Sequence, residues 1–257
     1  MTAIIAKADE FRHLHVRSEP IVLYNVWDAG SAAAVARSGA KAIATGSWSV
    51  AAAQGYGDGE EMPLDDVLTL VGRIVRSVDL PVTVDFEGGY AADPGLVTVN
   101  VRRLLALGAV GLNFEDQVVN GSGLYPVREQ VERLKAVRRA ADEAGVRAFI
   151  NARTDVFLKA DPGSDHAVLL DEALLREKAY AEAGADGFFV PGLVDPSLLQ
   201  TLCERVTLPI NVMASDEPER VREFARLGVS RISLGPAPYV AMAAELERRA
   251  GSVAGHP

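Results

Sequence analysis

Eight short runs rich in β-branched and aromatic residues recur along the chain, and stretches rich in Ala, Leu, Arg and Glu separate them. The runs are IVLYNVWD (21–28), AIATGS (42–47), PVTVDFE (81–87), GLNFED (111–116), AFINARTD (148–155), GFFVPG (187–192), PINVMA (209–214) and RISLG (231–235). Strands that alternate with helices form right-handed βαβ units on a parallel sheet. Eight such units within 257 residues predict an α/β protein: a single (β/α)8 barrel of the TIM type that spans residues 1–257.

A doubly wound open sheet is the alternative that the same alternation allows. Such a sheet usually carries a glycine fingerprint, G-x-G-x-x-G, after its first strand. The corresponding segment here reads WDAGSAAA and lacks that fingerprint. The barrel is therefore the preferred prediction, and no linker or low-complexity tract in the sequence indicates a second domain.

Composition limits the partners that the protein can have. The 26 Lys and Arg residues and 35 Asp and Glu residues give a net charge of −9, which argues against nucleic acid or an anionic membrane surface. No apolar run approaches the ~18 residues of a membrane-spanning helix. The single cysteine excludes a disulfide framework or a Cys-rich zinc site. The N-terminal apolar stretch is too short for a signal peptide, so we expect a cytoplasmic protein.

Acidic side chains concentrate where the third and fourth predicted strands end. In a barrel, catalytic groups lie at the carboxyl ends of the strands, and these ends carry Asp85, Glu87 and Glu115. Asp85 and Glu87 are two residues apart on one predicted strand and should project to the same face. Converging carboxylates repel one another unless a cation lies among them, and oxygen-only ligands favour Mg²⁺ or Mn²⁺. We predict such a metal site, although each acid alone is also compatible with a solvated loop residue or a helix N-cap.

Arg153 ends the fifth predicted strand, within INARTD. Its guanidinium suits a carboxylate or phosphonate, because two of its N–H groups can bind two oxygens at once. An ion pair with Glu115 is the other interpretation, and the two are compatible. On the last three strands, Asn211 is the most polar candidate. The glycine-rich loop GYGDGE (55–60) lacks the Lys and Ser/Thr of a phosphate loop and presents Asp58.

The segment Gly46-Ser47-Trp48 follows the second predicted strand. Small residues at this position let backbone N–H groups approach an anion. An ordinary turn between strand and helix explains the same residues.

Taken together, the motifs NVWDAGSA, ATGSWSVAAAQGYGD, VTVDFEGGY, GLNFED and INARTD resemble the isocitrate lyase/phosphoenolpyruvate mutase superfamily. The resemblance extends from about residue 20 to about residue 240. It implies a (β/α)8 barrel whose substrate is a small 2-oxo or 2-hydroxy carboxylate that chelates Mg²⁺. It also implies a homo-oligomer, a dimer or tetramer, in which neighbouring subunits exchange a C-terminal helix.

The resemblance also implies roles for single residues. Asp85 matches the most direct metal ligand, Glu115 matches the third acid of that site, and Glu87 stands where the family often has Asp. The candidate catalytic residues are Arg153, which matches the substrate-binding arginine, Glu115, and Asp58, which matches an acid beyond the direct ligands. The remaining positions match residues that hold the substrate carboxylate or line the pocket. These are Tyr24, Trp27, Gly46, Ser47 and Trp48.

One segment departs from the superfamily pattern. Isocitrate and methylisocitrate lyases carry Lys-(Lys/Arg)-Cys-Gly-His after the fourth strand, and that Cys takes part in proton transfer. Here the segment reads EDQVVNGSGLYPVREQ, without Cys, His or Lys between Asp116 and Arg128, although Asn120 offers a polar contact and Tyr125 a phenol.

The resemblance and this departure predict a Mg²⁺-dependent carbon–carbon lyase or decarboxylase that acts through a metal-stabilised enolate, with weak or no isocitrate lyase activity. Two alternatives stay open. One is a P–C bond enzyme of the phosphoenolpyruvate mutase or phosphonopyruvate hydrolase type, and the other is a non-catalytic barrel that binds a dicarboxylate.

Overall fold

The computed structural model describes residues 2–119, 121–161 and 163–254, and within these residues the chain forms nine strands and ten helices. The strands are β1 (Ile21–Leu23), β2 (Asn25–Val26), β3 (Ile43–Thr45), β4 (Val82–Asp85), β5 (Gly111–Glu115), β6 (Phe149–Arg153), β7 (Gly187–Phe189), β8 (Ile210–Met213) and β9 (Arg231–Ser233). The helices are α1 (Thr2–His13), α2 (Ala29–Arg37), α3 (Ser47–Ala53), α4 (Leu64–Ser77), α5 (Pro94–Ala106), α6 (Val127–Glu143), α7 (His166–Glu182), α8 (Pro196–Arg205), α9 (Pro218–Arg226) and α10 (Ala237–Ala254). Asn120, the predicted polar contact, lies outside the described residues.

The strands close into a barrel because β1 and β2 are two halves of one barrel strand, interrupted at Tyr24. β1 pairs with β9, where Ile21 lies opposite Arg231, and β2 pairs with β3. The other strands pair in chain order from β3 to β9, and every pair is parallel. The prediction of a TIM-type barrel is confirmed, and the open doubly wound sheet is excluded.

Each of the eight predicted runs contains strand, but the strands are shorter than the runs. β4 ends at Asp85, so the alternation of faces along a strand does not extend to Glu87. Ser47 and Trp48 belong to the short helix α3, which begins directly after Gly46. No helix of the described chain is long and apolar enough to cross a membrane.

Helix α1 covers the amino-terminal end of the barrel. Phe11 is fully buried and meets Phe149, the first residue of β6, edge to face, with 5.7 Å between ring centroids. Arg12 forms an ion pair with Asp186 at 2.7 Å, just before β7. His15 stacks on Phe149 at 3.9 Å, and burial lowers the pKa of His15 to about 3. The barrel is therefore closed at this end, and a ligand has access from the opposite end.

The barrel interior is unusually polar. Branched apolar residues normally dominate such interiors, yet Asn113 on β5, Asn151 on β6 and Arg231 on β9 are all buried. The Oδ1 of Asn113 accepts hydrogen bonds from Asn151 Nδ2 at 2.9 Å and from Arg231 Nη2 at 3.1 Å. Burial lowers the pKa of Arg231 to about 9, and the negative charge of Asp85 opposes that shift. A cation therefore lies inside the barrel, beneath the carboxyl ends of the strands.

Gly187 provides a test of how tightly this interior is packed. A Cβ at Gly187 would lie 2.8 Å from Asn151 Oδ1 and 2.8 Å from the ring of Phe149. Gly187→Ala should therefore destabilise the protein by about 1–3 kcal/mol, because the neighbours must move. Gly30→Ala in α2 is the control, since the nearest atom to its Cβ is 3.5 Å away. Helix propensity predicts no loss, or a gain of up to about 1 kcal/mol, for that variant. Equal free energies of unfolding in urea for the two variants would contradict the tight packing around Gly187.

Candidate active site

A cavity of about 190 Å³ opens at the carboxyl ends of the strands. Polar groups from several strand ends meet in its lining, among them Asn25, Ser47, Asp58, Asp85, Asn113 and Arg153. Pockets for drug-sized ligands usually enclose about 300–1,000 Å³. The cavity is therefore sized for a small metabolite.

Asp85 is the last residue of β4, and three donors orient its carboxylate. Its Oδ2 accepts hydrogen bonds from the Ser47 hydroxyl at 2.9 Å and from the Ser47 backbone N–H at 3.2 Å. Its Oδ1 accepts one from Asn113 Nδ2 at 3.2 Å. Asn113 cannot turn its amide around, because Asn151 and Arg231 both donate to its oxygen. The interior network thus determines which way Asp85 faces.

Glu87 lies beyond the end of β4, in the left-handed backbone region with φ 48°. Its carboxylate accepts hydrogen bonds from the backbone N–H groups of Gly59 at 3.2 Å and Glu60 at 3.1 Å, and so it ties the loop after α3 to the barrel. Burial, followed by the negative charges of Asp85, Asp58 and Glu60, raises the pKa of Glu87 to about 8. This part of the site therefore has more carboxylates than cations to balance them.

Arg153 forms ion pairs with two buried acids. Its Nη1 lies 3.1 Å from Glu115 Oε2, while its Nε and Nη2 reach the two carboxylate oxygens of Asp155 at 2.6 and 3.0 Å. Burial lowers the pKa of Arg153, but Glu115, Asp155 and Asp85 together outweigh it and raise that pKa. Burial raises the pKa of Glu115, and the charge of Arg153 opposes this. The guanidinium is thus held by two acids at the wall of the cavity that it lines.

Two residues that the family resemblance places at the pocket, Tyr24 and Trp27, lie outside the lining of this cavity. Tyr24 is 40% exposed, and the neighbouring Asn25 faces the cavity, where its Oδ1 accepts the N–H groups of Leu234 at 2.9 Å and Gly235 at 3.0 Å. Trp27 packs against Tyr239 of α10, with ring centroids 5.3 Å apart. The described residues that line the cavity include Gly46, Ser47 and Trp48, but neither Tyr24 nor Trp27.

Asn211 lies one layer below the cavity. Its Nδ2 donates to the Ser233 hydroxyl at 3.2 Å, and Ser233 is the residue that lines the cavity.

Asp155 and Asn25 were not among the predicted site residues. Strand alternation indicates Asn25, which is two residues after the buried Leu23. No local pattern indicates the pairing of Asp155 with Arg153.

The three predicted metal ligands, Asp85, Glu87 and Glu115, do not form a preorganised metal-binding site. Among the residues that the structure describes, no three His, Cys, Asp or Glu side chains are grouped so that they could hold a metal ion. Asp85 faces the cavity, Glu87 binds loop amides, and Glu115 pairs with Arg153. Mg²⁺ usually needs only one or two protein carboxylates and retains several waters. The all-oxygen donors and the surplus of acids fit that ion, and direct ligation by Glu87 and Glu115 stays a prediction.

The loop after β5 is held at its base by two buried arginines. Asp116 accepts hydrogen bonds from the Tyr180 hydroxyl at 2.7 Å and from Arg176 Nη1 at 3.0 Å, and the same Nη1 donates to the carbonyl of Tyr125 at 3.0 Å. The guanidinium of Arg133 lies 4.0 Å from the ring centroid of Tyr125. Tyr125 thus anchors the loop.

A closed barrel with carboxylates and an arginine around a cavity at its carboxyl end belongs to the class of (β/α)8 barrel enzymes. The family model for phosphoenolpyruvate phosphomutase matches residues 11–254. The chain therefore belongs to that family, within the isocitrate lyase/phosphoenolpyruvate mutase superfamily, and the resemblance of the motifs is confirmed. Members of this superfamily are metal-dependent lyases, mutases and hydrolases that act on small carboxylates.

Several related proteins support this assignment. One is a Burkholderia cenocepacia protein that is proposed to be a phosphonomutase, with a sequence 48% identical to this chain. Its crystal structure matches with a TM-score of 0.93, and the match covers 98% of this chain and 99% of that one. The 2-methylisocitrate lyase of Escherichia coli is 30% identical over 78% of this chain and 67% of its own length. A phosphonopyruvate hydrolase in complex with oxalate and Mg²⁺ is 20% identical, with a TM-score of 0.82 over 97% of this chain and 88% of that one, and shows the shared fold alone.

Proposed function

We propose that the protein is a Mg²⁺-dependent lyase or decarboxylase that breaks a carbon–carbon bond in a small 2-oxo or 2-hydroxy carboxylate. The observation that carries the proposal is the convergence of Asp85 and Arg153 on one cavity of about 190 Å³. Asp85 is oriented by three donors, and the Arg153 guanidinium is held in place by its hydrogen bonds to Asp155. A cytoplasmic location is part of the proposal and rests on the single cysteine of the chain.

Asp85 would hold the ion directly, and Asp58, Glu87 and Glu115 would hold it directly or through water. When bound, Mg²⁺ supplies a Lewis acid that polarises the carboxylate and 2-oxo oxygens of the substrate. Arg153 binds the substrate carboxylate and stabilises the negative charge that develops when the bond breaks. Ser47 and Asn113 keep the Asp85 carboxylate in place.

Weak or no isocitrate cleavage is part of the same proposal. A retro-aldol reaction needs a base for the substrate hydroxyl, and the loop after β5 has no Cys, His or Lys to provide one. Its phenol, Tyr125, packs under Arg133 as an anchor. Loss of CO₂ from an oxaloacetate-like acid, whose second carboxylate is on C3, leaves an enolate and needs no base in the bond-breaking step, so decarboxylation is compatible with this loop.

A P–C bond enzyme is the second candidate. The observation that favours it is the 48% identity to a protein proposed to be a phosphonomutase. A phosphonate, like a carboxylate, is an anion that offers several acceptor oxygens, so the same cation and arginine would bind it. A non-catalytic barrel is disfavoured, because a site that only binds has no need of so many uncompensated acids.

The main test of the proposal is turnover with and without Mg²⁺. We expect Mg²⁺-dependent cleavage of an oxaloacetate-like acid, and isocitrate turnover about 10²–10⁴-fold below that of a family member with the loop Cys. Asp85→Ala should abolish both turnover and calorimetric Mg²⁺ binding, whereas Asp142→Ala on the exposed face of α6 should change neither. Unchanged Mg²⁺ affinity in Asp85→Ala would defeat the proposal. Phosphate release from phosphonopyruvate alone would favour the second candidate.

Arg153→Lys tests the anion-binding role. Lysine keeps the charge but loses the planar array of N–H groups that contacts Asp155 and the ligand together. Binding of oxalate to the Mg²⁺-loaded protein should weaken by about 1–3 kcal/mol. Arg102→Lys, in an exposed pair with Glu143, is the control. If Arg153→Lys binds oxalate as tightly as the wild type, the anchor lies elsewhere.

We further propose a homo-oligomer, a dimer or tetramer, that forms by exchange of α10. Pro238 alone is buried in α10, while Met242, Leu246 and Val253 are exposed. Spacings of four and seven residues place these three side chains on one helix face, which a second copy would cover. Light scattering should show a dimer or tetramer for the wild type and smaller species for Leu246→Glu. A wild-type monomer at micromolar concentration would contradict the proposal.

A further inference from the structure

The cavity has two chemically different sides. Its acidic side carries Asp58, in the loop after α3, and Asp85, the last residue of β4. The lining contributed by β7, β8 and the segments after β6 and β9 is mostly apolar. The members of this apolar side are Phe189, Met213, Leu158 and Pro236. Arg153 at the end of β6 stands at the border, with its guanidinium carbon 5.8 Å from the Phe189 ring centroid.

Positive charge is scarce around the cavity. Arg153 is the only Lys, Arg or His among the described residues that line it, and two acids already pair with it. Ser233, the polar side chain that β9 adds to the lining, already exchanges hydrogen bonds with the amide of Asn211 at 3.2 and 3.3 Å. The sequence over 117–127 contains no Lys, Arg or His, and the loop after β8 carries Asp216 and Glu217. An anion on the apolar side would therefore meet no counter-charge from the lining.

An oxaloacetate-like acid would place one of its two carboxylates on that side. The proposed function puts the first carboxylate and the 2-oxo oxygen at the Arg153 and metal end. The second carboxylate, which C3 carries, is then directed toward Phe189, Met213 and Leu158. There it would lose water and gain no partner, which destabilises the anion.

Loss of CO₂ removes that charge from the apolar side. The bond between C3 and the second carboxylate breaks, and its electron pair becomes the C2–C3 double bond of an enolate. The negative charge passes to the C2 oxygen, the departing carboxylate becomes neutral CO₂, and the enolate then takes up a proton from water at C3. Charge thus moves from the side without cations to the end where Arg153 stabilises it.

This movement of charge makes the apolar side selective for one reaction. Only an effect that differs between the ground state and the transition state changes the rate. The apolar side disfavours a carboxylate but not CO₂, and so it raises the ground state alone. A cleavage whose distal fragment keeps its charge, such as hydrolysis of oxaloacetate to oxalate and acetate, gains nothing from it.

We propose that the apolar side, formed by Phe189, Met213, Leu158 and Pro236, holds the departing carboxylate of an oxaloacetate-like acid without a counter-charge and thereby makes decarboxylation the reaction of this site. The inference rests on the proposed function for the first carboxylate. It adds which residues face the second one and why CO₂ is the fragment that leaves.

Binding of two unreactive acids tests the placement. Malate and lactate share a 2-hydroxy acid end, have no 2-oxo group that could form the enolate, and differ in the second carboxylate of malate. Calorimetry with the Mg²⁺-loaded full-length protein should show that malate binds no more tightly than lactate. Tighter binding of malate would overturn the inference.

Leu158→Lys should move binding and turnover in opposite directions. Leu158 is 42% exposed, so the variant should fold. Its ammonium would pair with the second carboxylate, so malate should bind about tenfold or more tightly while lactate binding stays unchanged. The kcat of oxaloacetate decarboxylation, corrected for the background rate with Asp85→Ala, should fall by about tenfold or more, because CO₂ does not keep that ion pair. A general structural defect would lower kcat without improving malate binding.

Leu175→Lys is the matched control, since Leu175 is an exposed leucine on the outer helix α7. It should change neither the malate affinity nor kcat. If Leu158→Lys leaves the malate affinity unchanged, the apolar side does not contact the second carboxylate and the inference is overturned. If malate binds more tightly but kcat does not fall, the missing counter-charge does not drive the reaction, which overturns the inference as well.

Oxalate separates a failure of this inference from a failure of the proposed function, because it has no atoms beyond the Arg153 and metal end. If wild-type protein binds oxalate with Mg²⁺ but converts oxaloacetate to oxalate and acetate, or not at all, the inference alone is wrong. If oxalate does not bind, the proposed function fails, and the inference falls with it. Lys159 is an exposed cation next to Leu158. If Lys159→Ala weakens malate binding, Lys159 supplies a counter-charge and the inference is overturned.

Discussion

A surplus of carboxylates at one end of the barrel is the constraint on which the site depends. Each acid is stabilised in a different way: Asp85 by side-chain and backbone donors, Glu87 by loop amides, and Glu115 by Arg153. Burial first, and the neighbouring carboxylates after it, keep the pKa values of Glu87 and Glu115 raised despite these contacts, so some repulsion among the acids remains. A divalent cation among the acids would relieve that repulsion, and binding it would then stabilise the fold as well as the reaction.

The polar barrel interior explains how the acids are held in place without a metal. Arg231 donates to Asn113, and Asn113 donates to Asp85, so a fully buried guanidinium is linked to the half-buried Asp85 carboxylate by two hydrogen bonds. An apolar interior would pack as well but would leave the Asn113 amide free to turn. Burial of Arg231 carries a desolvation cost. The orientation of Asp85 is a physical reason for the protein to retain that residue.

Much of the fold follows from local patterns, and less of the site does. Alternating strand and helix signals predict the barrel because a parallel sheet with short connections has few ways to close. Strand-end position predicts Asp85, Ser47 and Arg153 around one cavity. It does not separate Tyr24, which the family resemblance indicates, from Asn25, which lines the cavity, because a shift of one residue along a strand moves a side chain to the opposite face. It also fails for the geometry of Glu87, which depends on a left-handed backbone conformation that no sequence period indicates.

The order of the strands around the barrel separates the chemistry of the cavity into two sides. Acidic residues belong to three consecutive strands or the segment that follows, with Asp58 after β3, Asp85 on β4 and Glu115 on β5, whereas the apolar Phe189 and Met213 end β7 and β8. Because Arg153 on β6 lies between them, a carboxylate bound there would have the acids on one side and an apolar surface on the other. If Asp85 holds Mg²⁺ as proposed, the bond that breaks would lie next to the carbon whose oxygen the ion polarises, where negative charge can be stabilised.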